Sequence, residues 1–274
     1  MPLSLTHDTG ARPAVIQQDR RLQLRLAETP QDRLAAKRLR YEVFVAERGG
    51  DGPLVDHAVR LERDRFDPFC DHLLLIDPAR DPAALNHVVG AYRLMDGAGA
   101  AQAGGFYSAS EYDLAPLLHS GRKLLELGRS CVHPEYRGGT AVFLLWNGVA
   151  AYAQARGIEL LFGVASFAGT DVDALAQPLS WLHHNHLAPK DLRVTARGAS
   201  AHRMDLLPAS ALDRTVALEG IPALIRSYLR LGGSVGDGAF VDHAFNTTDV
   251  FLLLDMAAMA SRRRGLQNRH PPVR

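Results

Sequence analysis

The stretch Glu126-Leu127-Gly128-Arg129-Ser130-Cys131-Val132-His133-Pro134-Glu135-Tyr136-Arg137-Gly138 decides the fold. Leu125 and Leu127 alternate with polar neighbours at its start, the period of a half-buried strand. Beyond it, Ala141, Leu144, Leu145, Gly148, Val149 and Tyr152 recur at helical spacing. The order is a strand, a tight basic turn with glycines, and a long helix. Such a turn can seat an anionic phosphate, because the first N–H groups of a helix have no internal partner. Glu126 and Arg129 lie in the strand just before it. In a regular strand they would face opposite sides. Gly128 stands between them, and a glycine inside a strand often marks a bulge. A bulge would turn both charges toward one site and free peptide N–H groups for an oxyanion; losing one such donor typically costs about 3–4 kcal/mol. That combination points to acyl transfer. A buried structural ion pair beside a packing glycine fits the same spacing.

Working outward, Leu22, Leu24 and Leu26 predict a strand, and Thr29-Pro30-Gln31-Asp32 predicts a capped helix start. That helix should run to about Arg48, closed by Gly49-Gly50-Asp51-Gly52-Pro53. Strands are expected near His72–Asp77 and Val88–Met95. Ser108-Ala109-Ser110-Glu111 predicts a capping box, opening a helix that ends near Gly121. After the helix of about 140–156 come a strand at Ile158–Ala165, a helix from Thr170 to His186, a helix at Ile221–Leu231 and a strand at Asp249–Leu254. This order predicts an α/β fold. We divide the chain into a flexible leader (1–20), a core (21–207), a C-terminal extension packed on that core (208–260) and a basic tail (261–274).

Composition bounds the function. The chain has 274 residues, 47% apolar and 22% charged, the profile of an ordinary globular protein. A net charge of +1 argues against a dedicated nucleic-acid binder. Apolar runs are short, as at Val250 to Leu254, and the first residues show no apolar signal region, so a cytoplasmic location is expected. Cys70 and Cys131 make no disulfide framework. Cys131 could be a nucleophile only if a base activated it, and His133 fits that role loosely. His183, His184 and His186 lack the spacing and acid of a zinc site, so no metal is expected.

The turn Arg137-Gly138-Gly139-Thr140-Ala141 resembles the pyrophosphate loop of the GNAT acyltransferases, with Thr140 and Val142 where that family carries small residues. Leu39-Arg40-Tyr41-Glu42-Val43-Phe44, Glu62-Arg63-Asp64-Arg65-Phe66-Asp67, Val89-Gly90-Ala91-Tyr92-Arg93-Leu94 and Glu126-x-x-Arg129 follow in order. They resemble the acyl-homoserine-lactone-synthase branch of that fold. With Ser227-Tyr228-Leu229-Arg230-Leu231-Gly232 and Thr248-Asp249-Val250-Phe251, the chain resembles the bacterial L-ornithine Nα-acyltransferases more closely, over roughly residues 22–256. The tryptophan that the synthases carry after the Phe44 position is missing, which favours the ornithine branch.

The resemblance implies a GNAT-type mixed β-sheet flanked by helices. It implies transfer of a 3-hydroxyacyl chain from the phosphopantetheine of acyl carrier protein to the α-amine of L-ornithine, giving lyso-ornithine lipid, with no bound cofactor. Arg137, Gly138, Gly139 and Thr140 would take the donor's phosphate; side chains at Thr140 and Val142 suit a carrier's single phosphate better than a coenzyme A pyrophosphate. Glu126 would be the base and Arg129 its catalytic partner, with Arg40, Phe44 and Arg93 at the substrate. Only a neutral amine attacks a thioester. At pH 7 an α-amine costs about 1.4 kcal/mol to deprotonate and a lysine-like side-chain amine about 4.6 kcal/mol. Acids that hold the second amine charged therefore direct attack to the α-position, and Asp64 and Asp67 are the candidates. Arg33, Lys37, Arg38, Arg122 and Lys123 are candidates to meet the acidic carrier, and the arginines of the tail to touch an anionic membrane at about 1 kcal/mol each. The competing expectations are an acyl-homoserine-lactone synthase and a non-catalytic module that binds acyl carrier protein.

Overall fold

The structure, a computed structural model, describes residues 17–18 and 22–259; the basic tail and, apart from Gln17–Gln18, the expected leader lie outside the described residues. The strands of four residues or more are β1 (Gln23–Leu26), β2 (Asp71–Ile76), β3 (Val88–Asp96), β4 (Leu124–Val132), β5 (Leu160–Ala168), β6 (Ser234–Asp242) and β7 (Thr247–Asp255). They form one sheet in the order β1-β2-β3-β4-β5-β7-β6. Neighbours in that series are antiparallel except β4 and β5, which run parallel. The region expected as a C-terminal extension thus supplies two strands of the sheet itself.

Helices cover both faces, as a sheet apolar on two sides requires. Strand parity assigns them. Leu73 and Leu75 of β2, with Leu125 and Leu127 of β4, join one core with α2 (Gly139–Arg156), α3 (Ala176–His186) and α4 (Ala223–Arg230). Leu74 and Ile76 point the other way, onto Ala35, Ala36 and Leu39 of α1 (Pro30–Arg40). Further along that second face, Met95, Leu124, Phe162 and Phe251 pack beneath the segment from Ala100 to Leu117. The capping box at Thr29 forms, the Thr29 hydroxyl accepting from the Asp32 N–H at 3.1 Å. Past Arg40 the helix widens to a π-turn, Tyr41–Ala46, before Gly49 and Gly50 end it.

The helix expected from Thr170 begins at Ala176, and two further differences bear on the site. No helix opens at Ser108: Tyr107–Ser110 is a single 3-10 turn, followed by the short strand Tyr112–Asp113. The Ser108 N–H and hydroxyl that a capping box would engage there are donated to Glu126 instead, together with the Tyr107 N–H. Strand β6 was not anticipated, because Gly236, Asp237 and Gly238 interrupt its apolar pattern.

The parallel pair β4–β5 is joined only at Leu124↔Leu160, Leu125↔Leu161 and Glu126↔Phe162. Both strands continue for several residues, but no further pair connects them. The last close approach is at Gly163, where an added Cβ would lie 2.2 Å from the Leu127 carbonyl oxygen. Backbone cannot yield as a side-chain tip can. Gly163→Val should lower stability by about 1–3 kcal/mol, read as a lower urea midpoint with unchanged slope.

Candidate active site

Beyond Glu126 and Phe162 the diverging strands leave a gap in the middle of the sheet. A cavity of about 310 Å³ fills it. Its lining draws on both faces: Leu127, Ala165 and Leu224 from one, Glu126, Val164 and Asp249 from the other. The facing peptide edges at Leu127–Ser130 and Val164–Ser166 have no strand between them, so they are free to bind a ligand.

The expected bulge exists. Tyr92 of β3 is opposed by two residues of β4, Arg129 and Ser130, between the pairs Arg93↔Gly128 and Ala91↔Cys131. The left-handed backbone falls on Arg129, with φ 50°, one residue past the glycine. A non-glycine residue in that region is strained and persists only when its surroundings hold it. The extra residue changes the parity of β4, so Glu126 and Arg129 both line the cavity.

What holds Arg129 is a closed ring of alternating charges. Arg129 binds Glu62 at 3.2 Å and Asp64 at 2.9 Å. Asp64 binds Arg93 at 2.9 Å, and Arg93 reaches Asp67 at 3.4 Å. Asp67 binds Arg40 at 2.6 Å, and Arg40 returns to Glu62. Three guanidinium groups and three carboxylates alternate, and Lys37 approaches Asp67 from outside the ring at 3.8 Å. Within the ring all but Arg129 are almost completely buried, and Arg129 is itself 14% exposed. The members come from the last turn of α1, the 62–67 loop, β3 and β4. Tyr107 and Phe245 add ring faces 4.9 and 5.2 Å from the Arg129 guanidinium. Burial alone would raise Asp67, but Arg40 and Arg93 outweigh it and bring the carboxyl down to about 2. Glu62 and Asp64 are lowered by their arginines in the same way, against burial.

Glu126 is held differently. Its carboxylate accepts from the Tyr107 N–H at 2.8 Å, the Ser108 N–H at 2.8 Å and the Ser108 hydroxyl at 2.5 Å. Three of roughly four lone-pair positions are used, leaving one. Burial pushes its pKa up, while these bonds and Arg93 pull it back.

Of the residues singled out from sequence, Phe44, Arg93, Glu126 and Arg129 line the cavity. Arg40, Asp64 and Asp67 do not: they sit in the ring, their carboxylates and guanidinium already matched. Arg137, Gly138, Gly139 and Thr140 are exposed at the start of α2, whose first turn has no capping side chain. Arg137 pairs with Glu47 and lines a separate cavity of about 690 Å³ with Arg38, Arg80 and His133. Cys131 is buried against α1, which pushes its thiol up to about 12. Sequence reasoning missed Arg48, Ser166, Asp242 and Asp249, all in the cavity lining. The available signal was Asp249, an acid sharing the inward parity of Phe251 and Leu253 in β7.

Residues 39–147 match the family model described as acetyltransferase (GNAT) domain. A relative named L-ornithine N(alpha)-acyltransferase, from Rhodobacter capsulatus, is 58% identical over 247 residues, 90% of this chain and 95% of that one. One of the same name from Brucella abortus is 45% identical over 243 residues, 88% and 86% of the two chains. Among solved structures, an N-acyl amino acid synthase from uncultured soil microbes superposes with a TM-score of 0.47 at 14% identity, over 88% of this chain and 93% of that one.

Removing one ring member leaves two buried partners short of a counter-charge; without Arg40, Glu62 keeps only Arg129, and Asp67 keeps Arg93 and the more distant Lys37. Arg40→Met should cost about 3–5 kcal/mol in urea unfolding. The depressed carboxyls of the ring make their stabilisation complete above the ordinary range near 4 and lost as pH falls toward 2. The wild type should therefore lose stability steeply over that interval, and Arg40→Met less steeply.

Proposed function

The chain belongs to the L-ornithine Nα-acyltransferase family, on the GNAT fold, and from that premise we propose that it moves a 3-hydroxyacyl chain from acyl carrier protein to the α-amine of L-ornithine, giving lyso-ornithine lipid. The observation that carries this reading is the gap between β4 and β5 with Glu126 and Arg129 turned into it. A thioester threaded between the two strands brings its carbonyl to the unladdered peptide edge of the β4 bulge. An N–H there receives the oxyanion as the tetrahedral intermediate forms.

The donor and acceptor approach from opposite faces. The uncapped start of α2, Gly138 to Thr140, offers N–H groups to the single phosphate of the carrier's phosphopantetheine, and Arg137 adds a cation. Arg33, exposed on α1, and the half-buried Arg38 offer the acidic carrier a basic surface, with Lys37 beside them turned to Asp67. The acceptor lies on the Tyr107 side, where Glu126 takes the α-ammonium proton on its remaining lone pair. Its raised pKa suits that task, since a base works best when its pKa is near the working pH. Arg48, exposed in the cavity lining, is placed for the amino acid's carboxylate. The amine then attacks directly, and the pantetheine thiolate leaves with a proton. No acyl-enzyme is needed, consistent with a Cys131 thiol that stays protonated. Among the described residues no helix is long and apolar enough to cross a membrane, and contact with an anionic membrane would be peripheral.

Pure protein given 3-hydroxyacyl carrier protein and ornithine should yield the N-acyl product; robust turnover on some other amine, with none on ornithine, would overturn the assignment. Glu126→Gln should fold normally, judged by circular dichroism, and lower kcat by about 10²–10⁴. An unchanged kcat across pH would remove Glu126 from the base role.

A further inference from the structure

Two buried acids take no part in the ring or in the transfer step. Asp249 of β7 is 4% exposed and lines the cavity, and its Oδ1 has no hydrogen-bond partner. Glu111, just past the 3-10 turn that holds Glu126, is also 4% exposed, and its Oε2 has none. The two lie close enough to repel each other, and Asp242, a further acid of the cavity lining, repels Glu111 as well. Burial, then these two neighbours, push Glu111 up to about 9. Burial pushes Asp249 up to about 6, against the hydroxyls of Ser166 and Thr247. The other charges facing Glu111 are Arg129 and Glu126, and those facing Asp249 are Asp242 and Arg129. Arg129 already serves Glu62 and Asp64. Acceptor oxygens buried without donors are costly. An ammonium, with three donors and a positive charge, supplies what they lack.

We propose that Asp249 and Glu111 form the recognition site for a second, positively charged amine of the acceptor. A diamino acid lays its terminal ammonium between these carboxylates and presents its α-amine to Glu126 and the β4 bulge. This rests on the N-acylation reading above and adds how the acceptor is chosen and oriented. The acids keep the far amine protonated, and so unable to attack, while the α-amine gives up its proton. Because Glu111 holds a proton at neutral pH in the empty site, the arriving ammonium displaces it, and binding releases a proton to the buffer.

The test compares the wild type with Asp249→Asn and Glu111→Gln, using 3-hydroxyacyl carrier protein as donor. The acceptors are ornithine and norleucine, in which a methyl group replaces the terminal ammonium. Each substitution should raise the KM for ornithine by about 100-fold, leave the KM for the donor unchanged and shift kcat/KM toward norleucine. Asp249→Asn removes a carboxylate buried without its own cation and Glu111→Gln a carboxyl that is already protonated, so melting temperatures at pH 8 should equal or exceed that of the wild type. Calorimetry of ornithine binding to the wild type, in buffers of different ionisation enthalpy, should show proton release, and Glu111→Gln should abolish it. An ornithine KM within twofold of wild type in the folded variants, or no proton release by the wild type, overturns the acid site alone. A wild type that acylates only amino acids without a second amine overturns the ornithine reading with it.

Discussion

A buried charge is tolerable only when its partners are complete, and the six-membered ring of Arg40, Glu62, Arg129, Asp64, Arg93 and Asp67 is built around that constraint. Each side chain meets at least two of opposite sign, Asp67 also meeting Lys37, so no member can leave without depriving two others of a partner. The ring joins segments far apart in sequence: a helix end, a loop, and two neighbouring strands. It also holds Arg129 in a backbone conformation that an arginine would not choose alone. The bulge, the shared direction of Glu126 and Arg129, and the shape of the gap follow from that restraint.

The sheet and the ring divide the work. Pairing of β4 with β5 stops early, and this opens a passage between the faces. The ring fixes one wall of the passage, and the Tyr107–Ser110 turn fixes the carboxylate on it. The acids that sequence suggested for a substrate amine, Asp64 and Asp67, are paired with arginines of the ring. A second set, Asp249 and Glu111, lies nearby without cations of its own. Two groups of carboxylates on one face thus have opposite electrostatics: one pulled down by arginines, the other pushed up by burial and mutual repulsion.

The strand, turn and helix from Leu124 to Arg156 were legible because alternation and helical spacing are local. So was the capped start of α1, where Thr29 and Asp32 act within one turn. The bulge was legible in kind but not in place: Gly128 marks it, yet the positive φ lies on Arg129, because the partners that stabilise it are more than 60 residues away. Glu111 reads locally as the acid of a capping box. Only the fold shows that the Ser108 donors go to Glu126 and leave Glu111 inside. Asp249 was legible only through its parity with Phe251 and Leu253, since an acid near a strand end is ordinarily solvated. Glycines and acids in β6 obscured the strand that completes the sheet beyond β7.

The gap has one more property. On its far side β5 is laddered to β7 from Leu160 to Ala168, and β4 is tied to β3 on both sides of the bulge. Neither wall can swing outward without tearing those ladders. The separation of the two backbones is fixed by peptide hydrogen bonds, and side chains such as Met95, Tyr107 and Phe245 trim the bore between them. Under the proposed transfer, a thioester threaded there would be sorted by its cross-section at the reactive carbon more than by the length of its tail.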